Sequence, residues 1–144
     1  MSVQNLTVAR GHVLALDDIT VATPAGRITA VVGGDGAGKT TLLEAMVGLV
    51  TPASGTIDTP ERKRIGYMPS GAGSWSDLTV DENVTFIGGS YAVVDLAQRA
   101  DELLGRAGLS GVRDRLAGRL SGGMRQKLGF CLAMLHQPDL LVLD

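Results

Sequence analysis

One cysteine in 144 residues, Cys131, excludes an internal disulfide and fits a reducing, cytosolic setting. It stands among apolar residues, which predicts a packed core thiol rather than a nucleophile. Long hydrophobic runs are missing too: none approaches the roughly 20 residues of a membrane helix, and the amino terminus does not have the form of a signal peptide. Any role at a membrane must therefore come through a partner. Charge of one sign is also scarce. The net charge is −2 with a pI near 5.6, which excludes bulk nucleic-acid binding as an expectation. The basic cluster Arg62-Lys63-Arg64 is short and reads as a solvated loop. Aromatic residues are few, at 3%. Glycine is plentiful, at 20 residues, yet the chain reads as globular because the glycines gather at turns and loops, with no repeat or low-complexity linker. The length allows at most one domain.

Along the chain, Val3–Ala9 and Ile19–Pro24 alternate as half-exposed antiparallel strands should. Ile28–Val32 is apolar without alternation, which predicts a strand buried on both faces of a parallel sheet. A Gly-rich turn follows, then a helix on which Leu42, Leu43, Met46 and Val50 recur at helical spacing, with Gly48 weakening its last turn. "SGTID" and "RIGYMP" read as short strands. Helices are predicted over Asp81–Ile87, over Val93–Arg106 and from Ser121, a plausible N-cap, to the stop at Pro138. The last helix carries Met124, Leu128, Cys131, Leu132 and Leu135 on one apolar face, and a final apolar strand ends in Asp144.

Residues 33–40 read G-G-D-G-A-G-K-T, a full match to G-x-x-x-x-G-K-[ST] between a strand and a helix. Gly33, Gly36 and Gly38 allow the backbone to turn successive N–H groups inward as an anion nest, with Gly34, Asp35 and Ala37 between them. The helix starting near Lys39 adds unpaired amides and its positive dipole end, and Thr41 follows in its first turn. Lys39 can reach β- and γ-phosphates, and the Thr40 hydroxyl can meet Mg²⁺. The expected ligand is a nucleoside triphosphate with its metal.

A second motif, "LSGGMRQ" (Leu120, Ser121, Gly122, Gly123, Met124, Arg125, Gln126), stands about 20 residues before "PDLLVLD". In it Ser121 and the amides of Gly122 and Gly123 form another helix N-terminus suited to phosphate. With the phosphate loop and the Asp-terminated strand in the same order, the chain resembles ATP-binding cassette (ABC) transporter ATPases over nearly its whole length. The stretches "GDGAGKTTLLEAMVGL" and "LSGGMRQKLGFCLAMLHQPDLLVLD" look like ATPases that drive export through ABC-2-type permeases. The resemblance implies an α/β P-loop NTPase: an amino-terminal antiparallel β subdomain, a parallel core sheet and a helical subdomain. Its parts would be residues 1–71, 72–137 and 138–144. It implies MgATP bound by Gly33–Thr41, with Thr40 and Asp144 on the metal side. The signature Leu120–Met124 with Gln126 would act in trans on ATP held by a second ABC ATPase domain, like or unlike. It also implies an integral-membrane permease as partner, with the ATPase peripheral to the inner face of the cell membrane.

Several positions depart from that pattern. Where the family has a Gln after "GYMP" that senses metal and permease, this chain has Ser70, with a shorter reach. Where the family stacks an aromatic ring on adenine, it offers Arg10 and Val13, with His12 nearby. The loop between "SGTID" and "RIGYMP" is shorter than in most relatives, a trimmed surface loop. The water-polarising Glu that the family places directly after Asp144, and its later switch His, fall beyond residue 144. His12 and His136 are no substitutes, and His136 is read as a capping cation at a helix end. The stop at Asp144 is read as a truncation that leaves the core incomplete: the family's next strand inserts between the Asp144 strand and the phosphate-loop strand. Alone, the chain is expected to be poor in hydrolysis. Two other readings stay open: a soluble ABC ATPase without a permease, and a catalytically silent nucleotide-binding module.

Overall fold

The computed structural model describes residues 1–144, which divide into two compact units, residues 1–62 with Asp144 and residues 63–143.

In the first unit, β1 (Ser2–Arg10) runs antiparallel to β2 (Val13–Ala22) and to β3 (Ser54–Asp58), in the order β2-β1-β3. Central β1 buries Val3, Leu6 and Val8 completely. Strict alternation would put Val3 on the opposite face from Leu6 and Val8, yet all three are buried and the register with β2 shifts between Val3 and Leu6. The irregularity is absorbed at Asn5, which takes a left-handed φ of 48° and donates its side-chain amide to Asp18 at 2.7 Å. β2 begins six residues before the predicted start because "LDD" interrupts its alternation. Helix α1 spans Lys39–Met46 and buries Leu42, Ala45 and Met46; Gly48, at φ 73°, lies just past its end.

The expected buried strand at Ile28–Val32 is not formed. Residues 27–34 belong to neither sheet, and Ile28 and Val32 are 101% and 88% exposed. A strand is buried on both faces only when neighbours complete its ladder and helices cover it. None of the five strands pairs with this segment, so its backbone groups turn to water.

In the second unit, β4 (Ile65–Met68) and β5 (Leu140–Leu143) form a parallel pair, with Ile65 opposite Leu140 and Met68 opposite Leu143. This pair is all that the described residues contain of a parallel sheet. Three helices accompany it: α2 (Val80–Ser90), α3 (Leu96–Ala107) and α4 (Gly122–Met134). α2 starts one residue earlier than predicted because Thr79 and Glu82 form a reciprocal capping box. That bonding also holds the Glu82 carboxylate below its ordinary pKa, chiefly through the Thr79 backbone amide. α3 ends on Gly108 in the left-handed conformation.

The core of this unit joins Val80, Leu104, Leu109, Leu128 and Leu135, all at or near zero exposure. Each such side chain contributes about 1.5–3 kcal/mol by leaving water. The predicted apolar face of α4 is seen here: Leu128, Cys131, Leu132 and Leu135 are buried and Met124 packs against the cluster. Cys131 is the expected core thiol, and burial raises its pKa.

Two details differ from expectation at the end of α4. The helix stops at Met134, four residues before Pro138, and Gln137 turns through φ 53°. His136 is not a capping cation. Its Nε2 lies 3.1 Å from the Ile65 carbonyl, its ring stacks on Tyr91 with centroids 3.9 Å apart, and burial favours its neutral form.

Candidate functional site

The residues of the phosphate loop fold as their types require. Gly36 and Gly38 adopt φ of 77° and 87°, which a side chain would resist. Gly38 is also pressed against the Ala15 carbonyl and the Leu16 side chain of β2, so it has no room for a methyl. It stands at the N-cap of α1 without a side-chain cap, which leaves the helix's first amides facing outward. Within the loop, the Ala37 amide donates to the Gly34 carbonyl at 3.2 Å. Lys39 curls back over the loop: its ammonium donates to the Gly33 and Gly34 carbonyls at 2.9 and 2.8 Å. Residues 33–37 and Thr40 are exposed, and Thr41 is half-buried in the first turn.

One long-range contact completes the arrangement. The Thr40 hydroxyl donates to Asp144 Oδ1 at 2.9 Å across 104 residues of sequence. A hydroxyl and a carboxylate beside a nest of amides and an ammonium make a charge-balanced cradle for phosphates. The oxygen donors suit Mg²⁺, which binds through one or two protein oxygens together with substrate phosphates. No cluster of three or more His, Cys, Asp or Glu side chains offers a softer or more enclosed metal site.

Other predicted positions fall differently. The Arg10 guanidinium is engaged by Glu44 of α1 in a close ion pair, so it is not presented as a free stacking plane. Val13 is 66% exposed beside Leu14 at the start of β2, an open apolar surface, and His12 occupies the exposed turn before it. Glu44 is a residue that sequence reasoning misses, because its only local signal is a charge on a short helix and its partner Arg10 lies at the end of β1.

In the second unit, Ser121 caps α4, accepting from the Met124 amide at 3.3 Å, and its hydroxyl hydrogen stays available to donate. Leu120 is buried beneath it, whereas Gly122 and Gly123 are exposed with open space where a Cβ would sit. The first amides of a 13-residue helix therefore face solvent. Gln126, one turn further on, is exposed, and its side-chain amide donates to the Ser70 carbonyl of the same chain at 3.4 Å. Ser70 itself is exposed.

This fold and these two helix ends define a P-loop nucleotide-binding domain of the ABC ATPase type. The family model described as "ABC transporter" matches residues 16–144, and the chain belongs to that family. It is 33% identical to the sulfate/thiosulfate import ATP-binding protein CysA of Nocardia farcinica, over the whole of this chain and 47% of that protein. It is 39% identical to the probable multidrug ABC transporter ATP-binding protein YbhF of Escherichia coli, over 83% of this chain and 23% of that one. A solved ATP-binding subunit of an ABC transporter superposes with a TM-score of 0.90 at 25% identity, covering 99% of this chain and 65% of the other. The chain spans about half the length of such relatives as CysA. No helix is long and apolar enough to cross a membrane.

Proposed function

We propose that this chain is the nucleotide-binding part of an ABC transporter ATPase, holding MgATP on residues 33–41 and coupling its hydrolysis to transport through a membrane permease. The observation that carries the reading is the Thr40–Asp144 contact. It sets the Asp144 carboxylate beside a hydroxyl in the first turn of the phosphate-loop helix, the pair that belongs there if a metal–phosphate complex is to be held.

Mg²⁺ bound beside Thr40 and Asp144 would supply charge neutralisation on the β- and γ-phosphate oxygens. Lys39 exchanges its two carbonyl partners for phosphate oxygens, a stronger charge-assisted pairing. The loop amides and the α1 N-terminus hold the phosphates in place. The signature Ser121, Gly122 and Gly123 present a second set of donors to the nucleotide of another ABC ATPase domain in a head-to-tail dimer. Val13 and Leu14 offer an apolar platform to the base in place of an aromatic ring, with Arg10 committed to Glu44.

Export is the direction favoured by the flavour of residues 34–49 and 120–144. Relatives named for sulfate/thiosulfate import and for multidrug transport stand at similar distance, so selectivity and direction are assigned to the permease partner rather than to these residues. Titration calorimetry with ATP tests the reading: binding should need Mg²⁺ for full affinity and weaken about 100-fold in Lys39→Ala. Equal affinity for ATP in both proteins would sink it.

A further inference from the structure

Gln126 belongs by sequence to the signature, yet its side chain serves its own chain. Gly122, Gln126, Gly129 and Ala133 recur at i, i+4, i+7 and i+11 on α4, along a stripe distinct from the core face of Leu128, Cys131, Leu132 and Leu135. Backbone from elsewhere in the unit lies directly on that stripe. A methyl added to Gly129 would overlap the Ala72 carbonyl, and one added to Gly66 of β4 would overlap the Ala133 carbonyl. Ala72 is itself 3% exposed, packs in a small cluster with Met68 and Ala133, and is held at φ 67°. A left-handed alanine is strained and persists only where its surroundings enforce it. Its amide closes a tight turn on the Pro69 carbonyl at 2.9 Å, and the next residue, Gly73, is also left-handed, at φ 61°.

We propose that Gln126 and Gly129 are positioning residues for Ser70: they fasten the turn of residues 69–73 to the signature helix, so that the Ser70 side chain takes its place from α4. Gln126 holds the turn at the Ser70 carbonyl, and Gly129 makes room for it at Ala72. The residues that carry the second phosphate grip and those that carry the fastening lie within about 12 Å along one helix, at about 1.5 Å per residue. The grip at Ser121–Gly123 and the metal-sensing position therefore move as one body. The role given to Ser70 rests on the function proposed above; the fastening does not.

Amide hydrogen exchange on the 144-residue chain tests it, with emission from Trp75, the single tryptophan, as a second local probe. Gln126→Leu should speed exchange across residues 70–74 by about three- to tenfold, the worth of one hydrogen bond, without change in α3. Gln126→Lys, which keeps a donor on a stem of similar length, should restore protection. Gly129→Ala should free the same turn more strongly; if it does not fold, the two Gln126 variants still decide the matter. Cys131→Ala, which opens the core on the other face of α4, should loosen α3 and α4 rather than the turn. Unchanged exchange at 70–74 in Gln126→Leu, or a rise only in step with α3, overturns the proposal. Protection of residues 33–41 by MgATP is read in the same experiment and tests nucleotide binding separately.

Discussion

Two helix N-termini in this chain use the same physics and are supported in opposite ways. α1 begins on glycine, with no side-chain cap, behind a segment in neither sheet whose Ile28 and Val32 are open to water. α4 begins on Ser121, capped, above buried Leu120 and along a filled core. Both leave amides outward. The phosphate loop stakes its order on its own glycines, on Lys39 bonded to Gly33 and Gly34, and on one contact to Asp144. The signature takes its order from tertiary packing. Anion binding should therefore depend on a few polar groups at α1 and on the stability of a whole unit at α4.

The widest gap between the two regions should open with Lys39→Ala. Loss of the ammonium removes charge-assisted pairing worth about 3 kcal/mol, hence an affinity for MgATP about 100-fold lower, while the urea midpoint of the second unit stays where it was. Calorimetric titration beside a Trp75-monitored urea curve checks both halves. The converse change is Asn83→Ala. Asn83 is completely buried and its amide knits the loop before α2, its oxygen accepting from the Trp75 amide at 2.8 Å and its two N–H groups shared among the Trp75, Leu78 and Thr79 carbonyls. Leaving those groups unpaired should cost about 2–4 kcal/mol. The Trp75 emission should shift red, and MgATP affinity should hold. Should nucleotide affinity fall in parallel, the contrast between the regions is mistaken. A smaller effect is expected from Ser121→Ala, about 1 kcal/mol for a lost N-cap, with Ser121→Gly costing only a few tenths. Urea midpoints of the two variants measure it.

The sequence made legible what spacing encodes locally. The helix that opens at Lys39, the cap at Ser121, the strand Ser54–Asp58 and the apolar face of α4 all stand where their patterns place them. The Thr-x-x-Glu of Thr79 and Glu82 carried a readable capping box as well, and it moves the start of α2 by one residue. What was not legible depends on partners far along the chain. An apolar run such as Ile28–Val32 becomes a strand only if others complete its ladder, and no local signal tells whether they do. Arg10 has the chemistry to stack on a base, but Glu44, 34 residues away, takes its guanidinium. Likewise the partner of the Gln126 side chain is Ser70, 56 residues away.

His136 offers the finest test, because its effect should be the smallest and confined to the packed region. Its Nε2 faces the Ile65 carbonyl and therefore carries the proton in the neutral ring, which leaves Nδ1 buried without a partner. Protonating Nδ1 would place a donor and a charge where nothing accepts them, and burial accordingly pulls the pKa below the usual 6.5 of a histidine; the Ile65 carbonyl opposes this more weakly. With the folded pKa below the unfolded one, the unfolded chain takes up more protons between the two. The contribution of His136 is therefore complete above pH 6.5 and is lost as pH falls from there through the depressed value. The carboxylates Glu82 and Asp139 are also held below their ordinary 4.5 and 3.8, by Thr79 and by Arg64, and lose their contributions only at lower pH still. Between pH 7.5 and 5 the urea midpoint of the second unit should fall by less than Ser121→Ala lowers it. His136→Phe, which keeps a ring on Tyr91, should flatten that slope. A slope that survives in His136→Phe would mean that the neutral ring is not what this region senses.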